Sequence, residues 1–336
     1  MQFLWLLRLP EEHCSFYTRL QTKKMKNSLR DIIRLLRPRQ WIKNFAIYAA
    51  LLFSGQLFNL TLFTTVTYGF VIFCALSSSI YIINDLFDVE KDRMHPFKKY
   101  RPIAHNDVSV ALAVVIAAAL AFLAIVISYI IDPAFFLIAV VYFILHLSYS
   151  AFLKHIEIVD ILTLAAGYIL RVFAGEIISN SHISAWLFLT VISLSLFLAI
   201  GKRRSEITLL SHQNGAQLNT RKTLSHYTDK LLDIYLSIFA TSTFLSYALF
   251  TFLENPRGLQ FNLTFFSADA LGTYLQRKWL MVTIIPVVYG LMRYLQRIYE
   301  KHEGESPERV LFSDRPLLVS VIIWALIVII LNYFIT

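Results

Sequence analysis

The sequence predicts an all-α membrane protein with nine transmembrane helices, and three observations lead to this fold class. Hydrophobic residues make up 57% of the 336 residues and charged residues only 16%, whereas a soluble domain has roughly 25% charged residues. The apolar residues form runs of about 20, the length that crosses the hydrocarbon core as a helix. These runs are continuous and do not alternate with polar residues, which favours helices over a transmembrane barrel.

Nine apolar windows define the predicted spans, and the basic residues of the connections orient them. The windows cover residues 41–59, 62–84, 108–131, 134–150, 158–178, 184–200, 231–253, 279–297 and 316–335. Of the 31 Lys and Arg residues, 27 fall on one side of the membrane; the others are Arg171 inside the fifth span and Arg257, Arg277 and Lys278. By the positive-inside rule, the N-terminus then faces the cytoplasm and the C-terminus faces outward.

The net charge of +9 follows from this topology. Because the basic residues are dispersed over membrane-flanking connections, no binding to nucleic acid is predicted. The two cysteines, Cys14 and Cys74, give neither a disulfide framework nor a metal-binding spacing. Residues 1–28 are predicted to be a dispensable or disordered extension, and residues 29–336 the catalytic transmembrane domain.

An Asp-rich segment at the end of the second span is the strongest candidate for chemistry. At 100° per residue, Asp88 and Asp92 lie about −60° and −20° from Asp85, so three carboxylates share one helix face. Like charges this close repel each other unless a cation neutralises them, and Mg²⁺ takes one or two carboxylates together with phosphate oxygens. The simpler alternative is a solvated acidic helix end beside lysines.

Basic residues follow the carboxylates directly. Lys98, Lys99 and Arg101 would place phosphate-binding cations beside the metal. Carboxylates for a hard metal ion and cations for phosphate together predict a diphosphate ester whose bond is broken with metal assistance.

The motif Asn84-Asp-x-x-Asp-x-x-x-Asp92 resembles the first motif of the UbiA-type intramembrane transferases. The wider pattern is similar to one branch, the decaprenyl-phosphate phosphoribosyltransferases, in the stretches 37–44, 95–104, 149–154, 201–206, 306–308 and 313–317 and in Asp160, Gly167 and Arg171. The resemblance covers residues 29–336. It implies a UbiA-like fold in which the nine helices surround a central cavity open to the cytoplasmic face. It also implies a Mg²⁺-dependent enzyme of the bacterial inner membrane that transfers a 5-phosphoribosyl group from phosphoribosyl pyrophosphate to a polyprenyl phosphate and releases diphosphate.

The sequence departs from the prenyltransferase pattern at the second motif, where those enzymes generally carry a second pair of carboxylates. Here Asp160 is followed four residues later by Leu164, and cations are plentiful. Three phosphate centres, two on the donor and one on the acceptor, suit these cations better than an aromatic acid does. The alternative function remains a UbiA-type transferase that moves a polyprenyl group from its diphosphate to an aromatic acceptor.

The predicted site residues fall into three groups. The catalytic residues are Asp85, Asp88, Asp92 and Asp160, and the first three of these are the metal ligands. The substrate-binding residues are Asn84, Lys98, Lys99, Arg101, Lys154, Arg171, Lys202, Arg203, Arg204, Arg37, Lys43 and Tyr149.

Several of these residues have a structural alternative. Arg171 lies about 16 Å along the helix axis from Asp160, too far for a direct pair, so it either binds a ligand or joins another buried ion pair. Gly167 is either part of the site or a close-packing position. The basic run 202–204 is either a ligand site or a positive-inside cluster. A transporter would favour internal repeats or helices interrupted near mid-bilayer, which the sequence does not display.

Overall fold

The computed structural model describes residues 28–94, 98–212, 227–253, 279–301 and 307–334. The predicted extension, residues 1–28, lies outside the described residues apart from Ser28. The described helices are α1 (Leu29–Leu36), α2 (Ala49–Phe53), α3 (Leu60–Phe87), α4 (Val89–Met94), α5 (Val110–Ile131), α6 (Pro133–Ala151), α7 (Val159–Ser179), α8 (Ala185–His212), α9 (Asp229–Leu253), α10 (Ile284–Lys301), α11 (Pro307–Ser313) and α12 (Arg315–Tyr333). Short 3₁₀ helices cover Pro38–Tyr48, Lys98–Tyr100, Leu153–His155 and Trp279–Thr283.

Within these ranges, eight helices are long and apolar enough to cross a membrane: α3, α5, α6, α7, α8, α9, α10 with the 3₁₀ turn before it, and α12. The described part of the chain is therefore all-helical, and the protein is a multi-pass membrane protein, as the sequence predicts. The sixth span extends well past its predicted end at residue 200, because α8 continues to His212 and carries the basic run 202–204 with it.

The count of nine spans is not confirmed, because the first predicted span, residues 41–59, is not one long α-helix. Its first part lies on the 3₁₀ helix Pro38–Tyr48 and its second on α2, and the chain turns at Gly55 with a φ of 74°. A 3₁₀ helix rises about 2.0 Å per residue, so this element and α2 together reach roughly 30 Å. That length matches the hydrocarbon core, although the segment is polar at Gln40, Lys43 and Asn44.

Polar residues fix where four of the spans begin. Each of these side chains accepts a hydrogen bond from a backbone N–H in the first turn of its helix, as N-cap residues do. They are Asn59 for α3, Ser109 for α5, Asp132 for α6 and Asp314 for α12. Prolines at the start of α6 and α12 have no N–H to leave unpaired.

Buried apolar side chains of the described residues form four clusters, and the two largest join most of these helices. One contains Ile47, Phe73, Phe135 and Ala174 and holds the 3₁₀ helix Pro38–Tyr48 against α3, α6 and α7. The other joins α7 to α8, α9, α10, α11 and α12. Only 17% of the apolar window of α5 is buried, so most of this very hydrophobic helix faces lipid.

Gly175 allows α7 to approach the 3₁₀ helix Pro38–Tyr48. A Cβ atom at this position would overlap the carbonyl oxygen of Ile47 and lie 2.7 Å from its carbonyl carbon. We expect Gly175→Ala to lower the free energy of unfolding by about 1–3 kcal/mol, because backbone must move to accept the methyl group. Thermal unfolding in detergent measures this. Gly290→Ala is the matched control, since its nearest neighbour would be Ser320 Oγ at 3.6 Å; equal losses for the two variants would contradict the packing argument.

Candidate active site

The Asp-rich segment lies where α3 ends and α4 begins, and we call this end of the helices the Asp-rich end. The sequence predicts one helix through Asp92, whereas α3 stops at Phe87 and α4 starts at Val89, with Asp88 between them. The helical path is nearly kept, because Asp88 N donates to Asn84 O at 3.0 Å and Asp92 N donates to Asp88 O at 2.8 Å.

Asp85 and Asp92 share one cation. Arg101 Nη1 lies 2.9 Å from Asp85 Oδ1 and 2.5 Å from Asp92 Oδ2, and Arg37 Nη2 donates to both oxygens of Asp85 at 2.5 and 2.7 Å. Both carboxylates are buried. Burial raises the pKa of the Asp92 carboxyl above its usual range, although the neighbouring Arg101 acts in the opposite direction.

Asp88 has a different partner. Its oxygens accept hydrogen bonds from Lys154 Nζ at 3.0 and 3.1 Å. Lys154 is only 3% exposed and belongs to the 3₁₀ turn between α6 and α7. The pair therefore joins the Asp-rich segment to the start of the fifth predicted span. Three predicted substrate-binding residues, Arg37, Arg101 and Lys154, thus contact the predicted metal ligands.

The donor set fits Mg²⁺ by its chemistry. Three carboxylates supply hard oxygen atoms, and the bridging guanidinium of Arg101 shows that Asp85 and Asp92 are close enough to share a positive charge. Across the described residues, no three Asp, Glu, His or Cys side chains form a preassembled metal group. Mg²⁺ commonly takes only one or two carboxylates and completes its shell with water and phosphate, so the set is sufficient in the presence of a diphosphate.

Asp160 belongs to a second, fully buried cluster. Arg203 Nε lies 2.5 Å from Asp160 Oδ2, and Tyr227 donates to Asp160 Oδ1 at 2.7 Å. Arg203 also donates to Tyr149 Oη at 2.7 Å and pairs with Glu206. Both oxygens of Asp160 are therefore occupied by side chains of the protein, which brings three predicted residues together in an arrangement that holds α6, α7 and α8.

Arg171 lies deeper between the helices, and its guanidinium contacts only neutral groups in the described part of the chain. It donates to Asn44 Oδ1 at 2.7 Å, to the Gly167 carbonyl at 2.6 Å and to Tyr142 Oη at 2.6 Å. A Cβ at Gly167 would lie 2.5 Å from His146 Nε2, so this glycine leaves room for the His146 ring. The sequence left two alternatives for Arg171, a bound ligand or a buried ion pair. Among the described residues, no ion pair of Arg171 is found.

Lys43 forms a third cluster, which includes a residue that the sequence reasoning did not assign. Lys43 Nζ lies 3.1 Å from Glu308 Oε2 and 2.7 Å from Gln40 Oε1, and Gln40 Nε2 donates to Glu308 Oε1 at 2.5 Å. Tyr81 donates to Gln40 Oε1 at 3.3 Å. The signal for Glu308 was its place in the stretch 306–308, for which the spacing suggested no partner.

The remaining predicted cations lie in different surroundings. Lys202, Arg203 and Arg204 point in three directions because successive residues of α8 are 100° apart. Lys202 is 4.0 Å from Glu206 and partly exposed, while Arg204 pairs with Asp233 at 2.8 Å and Asp229 at 3.1 Å, on the side of α9.

Three other predicted substrate-binding residues lie close to the Asp-rich segment. The side chain of Lys99 lies over the Tyr100 ring, and Lys98 is near enough to Asp92 to favour the charged form of that carboxyl. Asn84 lies one turn before Asp88. Roles for these residues stay predictions.

A cavity of about 590 Å³ lies at the opposite end of the helices. Its walls include Ser54, Gln56, Asn180 and Ser184, and none of the predicted site residues lines it. The chemistry-bearing side chains therefore gather at the Asp-rich end.

Comparison with known proteins gives a family match over most of the chain. The model of the UbiA prenyltransferase family matches residues 44–314. The decaprenyl-phosphate phosphoribosyltransferase of Corynebacterium glutamicum is 35% identical over 312 residues, which cover 92% of this chain and 88% of the relative. The protein of the same name from Mycolicibacterium smegmatis is 35% identical over 303 residues, or 89% of this chain and 91% of the relative.

Among solved structures, the chain is similar to a UbiA homolog from Archaeoglobus fulgidus that was solved with bound GPP and Mg²⁺. The TM-score is 0.65 at 17% identity, and the match covers 90% of this chain and 99% of that one. This similarity concerns the fold.

Proposed function

The chain belongs to the UbiA prenyltransferase family, and within that family we propose that it transfers a 5-phosphoribosyl group from phosphoribosyl pyrophosphate to a polyprenyl phosphate of the decaprenyl type. Diphosphate is released. Relatives named for this activity align with about nine tenths of the chain, which supports the assignment. The protein is accordingly a pentosyl-transferring enzyme embedded in the membrane.

The structural observation that carries the choice of donor is the state of Asp160. UbiA-type prenyltransferases generally carry a second acidic motif that faces the first. Here Arg203 and Tyr227 bind the oxygens of Asp160 and residue 164, four positions later, is Leu, so this part of α7 adds no second pair of carboxylates to the Asp-rich end, while cations are plentiful there. A donor with one diphosphate and one separate phosphate matches this charge distribution better than a polyprenyl diphosphate does.

The Asp-rich end holds the leaving group in this proposal. Asp85, Asp88 and Asp92 would hold Mg²⁺, which neutralises negative charge on the diphosphate when bound. Homologous structures solved with Mg²⁺ support this metal. Arg37, Arg101 and Lys154 now pair with those carboxylates. On donor binding we expect these cations to turn to phosphate oxygens, for which their charge-assisted hydrogen bonds are well suited.

The reaction requires no strong base. The C1–O bond to diphosphate breaks with its electron pair leaving on diphosphate, and an oxygen of the acceptor phosphate forms the new bond to C1. The acceptor is already anionic, so no proton has to be removed. Asn84, Lys98 and Lys99 are proposed to bind the ribose and the 5-phosphate, and Asp160 acts by holding Arg203 and Tyr227 in place.

The proposal also determines which side of the membrane the Asp-rich end faces. Phosphoribosyl pyrophosphate is water-soluble and made inside cells, and the basic connections follow the positive-inside rule. The Asp-rich end therefore faces the cytoplasm in this proposal, with the N-terminus on the same side and the C-terminus outside. For a bacterial protein this membrane is the inner one.

Parallel incubation with two labelled donors tests the function. Purified protein in detergent with Mg²⁺ receives either phosphoribosyl pyrophosphate with a polyprenyl phosphate, or a polyprenyl diphosphate with an aromatic acid. We expect label to move into the lipid fraction only with the first pair, and EDTA to stop the transfer. Transfer only with the second pair would replace the proposal by the prenyltransferase alternative.

A further inference from the structure

An internal carboxylate occupies an anion-binding position beside the Asp-rich end. Glu308 of α11 reaches Lys43 and Gln40 of the 3₁₀ helix Pro38–Tyr48, with distances of 3.1 and 2.5 Å. The Glu308 side chain is only 6% exposed and that of Lys43 18%. Two donors from one element thus converge on an anion supplied by a distant part of the chain.

Glu308 is held there in its charged form. Burial opposes ionisation, but Lys43 and Gln40 outweigh it and keep the pKa of the Glu308 carboxyl below its usual range. A buried Lys–Glu pair adds little to stability, because desolvation of both groups offsets their attraction. A contribution to stability therefore does not by itself explain why this pair is present. The pair does neutralise the charge of Lys43 when no external anion is bound.

The position of this cluster relates it to the donor site. Tyr81, which donates to Gln40, lies one turn before Asp85 on α3, or about 6 Å along the helix axis. Arg37, whose guanidinium pairs with Asp85, lies 5.2 Å from the centre of the Tyr81 ring. Reacting atoms must come within about 3–3.5 Å of each other. An attacking phosphate and a leaving diphosphate on either side of one carbon atom therefore lie about one helical turn apart.

We propose that the phosphate of the lipid acceptor binds to Lys43 and Gln40 by displacing the carboxylate of Glu308. This inference rests on the proposed function, since it presumes a lipid phosphate as acceptor. The phosphate carries more negative charge than a carboxylate and offers three acceptor oxygens, so Lys43 interacts more strongly with the phosphate than with Glu308. Glu308 thereby competes with the acceptor, while Lys43 and Gln40 select an anionic headgroup.

Binding of decaprenyl phosphate to the full chain in nanodiscs, without donor, tests the exchange. Glu308→Gln keeps the size of the side chain and removes its charge, so we expect about tenfold tighter acceptor binding. Lys43→Gln should weaken acceptor binding by at least about tenfold, and Lys43→Arg should restore most of it. Glu300→Gln on the exposed face of α10 is the matched control and should leave acceptor binding unchanged.

The KM for each substrate completes the test. Glu308→Gln should lower the KM for the acceptor and leave the KM for phosphoribosyl pyrophosphate unchanged. Unchanged or weaker acceptor binding in Glu308→Gln, or a raised KM for the donor, would overturn the inference and place Glu308 in donor binding or in packing. If the wild-type protein neither binds nor uses decaprenyl phosphate, the proposed function itself fails. Because Lys43→Arg retains the cation, it remains informative if Glu308→Gln does not fold.

Discussion

Asp88→Asn is expected to reduce turnover by at least about 100-fold while the protein still folds and inserts. The substitution removes one negative charge from the proposed metal ligands, and even groups that only orient metal ligands commonly contribute 10- to 100-fold. Asp88 suits this test because it is the least buried of the three carboxylates and pairs only with Lys154 among the contacts described above. Initial rates across a Mg²⁺ titration measure the effect, and higher Mg²⁺ should recover part of the lost rate.

Asp107→Asn is the matched control for this substitution. Asp107 lies after the same basic stretch, is partly exposed and interacts with His105, but it has no place in the proposed site. The activity of the Asp107→Asn variant should equal that of the wild-type protein. If Asp88→Asn retained full activity at limiting Mg²⁺, the assignment of the metal to the Asp-rich end would be wrong.

Arg203→Met is expected to lower the free energy of unfolding by roughly 3–5 kcal/mol. The substitution leaves Asp160 buried without its cation, and an uncompensated buried charge is costly. The double variant Arg203→Met/Asp160→Leu removes both charges, so it should lose much less stability than the sum of the single variants. Thermal unfolding in detergent of all four proteins gives the coupling between the two residues.

The pair Arg204–Asp233 on α8 and α9 provides the control. The carboxylate partners of Arg204, Asp229 and Asp233, are 54% and 36% exposed, so water can solvate them when Arg204 is removed, and pairs with exposed groups contribute only about 0–1 kcal/mol. Arg204→Met should therefore have a small effect. If Arg203→Met kept its stability and only raised the KM for the donor, Arg203 would contact substrate directly, and Asp160 would be free to act as the sequence first predicts.

The features that the sequence predicts are those that depend on residues close together in the chain. The eight described spans follow from continuous apolar runs. The shared location of Asp85, Asp88 and Asp92 follows from their spacing on a helix, and Arg101 is predicted beside them; the contact of Lys154 with Asp88 is not. Such positions can be predicted from the sequence because helix periodicity and bilayer thickness act within one segment.

The parts that the sequence did not predict depend on distant contacts. The partner of Asp160 is Arg203, from the part of α8 that lies beyond the end of the predicted apolar window at residue 200. The partner of Lys43 is Glu308, 265 positions along the chain. No periodicity relates such residues, and a run of three cations such as 202–204 gives no indication that one of them is fully buried. The 3₁₀ helix Pro38–Tyr48 likewise packs against α3 and α7, contacts that no local sequence pattern indicates.

The most direct test of the account is the identity of the product formed by purified protein in nanodiscs. The reaction contains phosphoribosyl pyrophosphate, Mg²⁺ and decaprenyl phosphate whose phosphate oxygens carry ¹⁸O, and mass spectrometry follows the lipid. The account predicts a lipid heavier by one phosphoribosyl residue, with all acceptor ¹⁸O retained and one diphosphate released per lipid. Absence of this lipid with acceptors of several chain lengths, while the same preparation prenylates an aromatic acid, would contradict it.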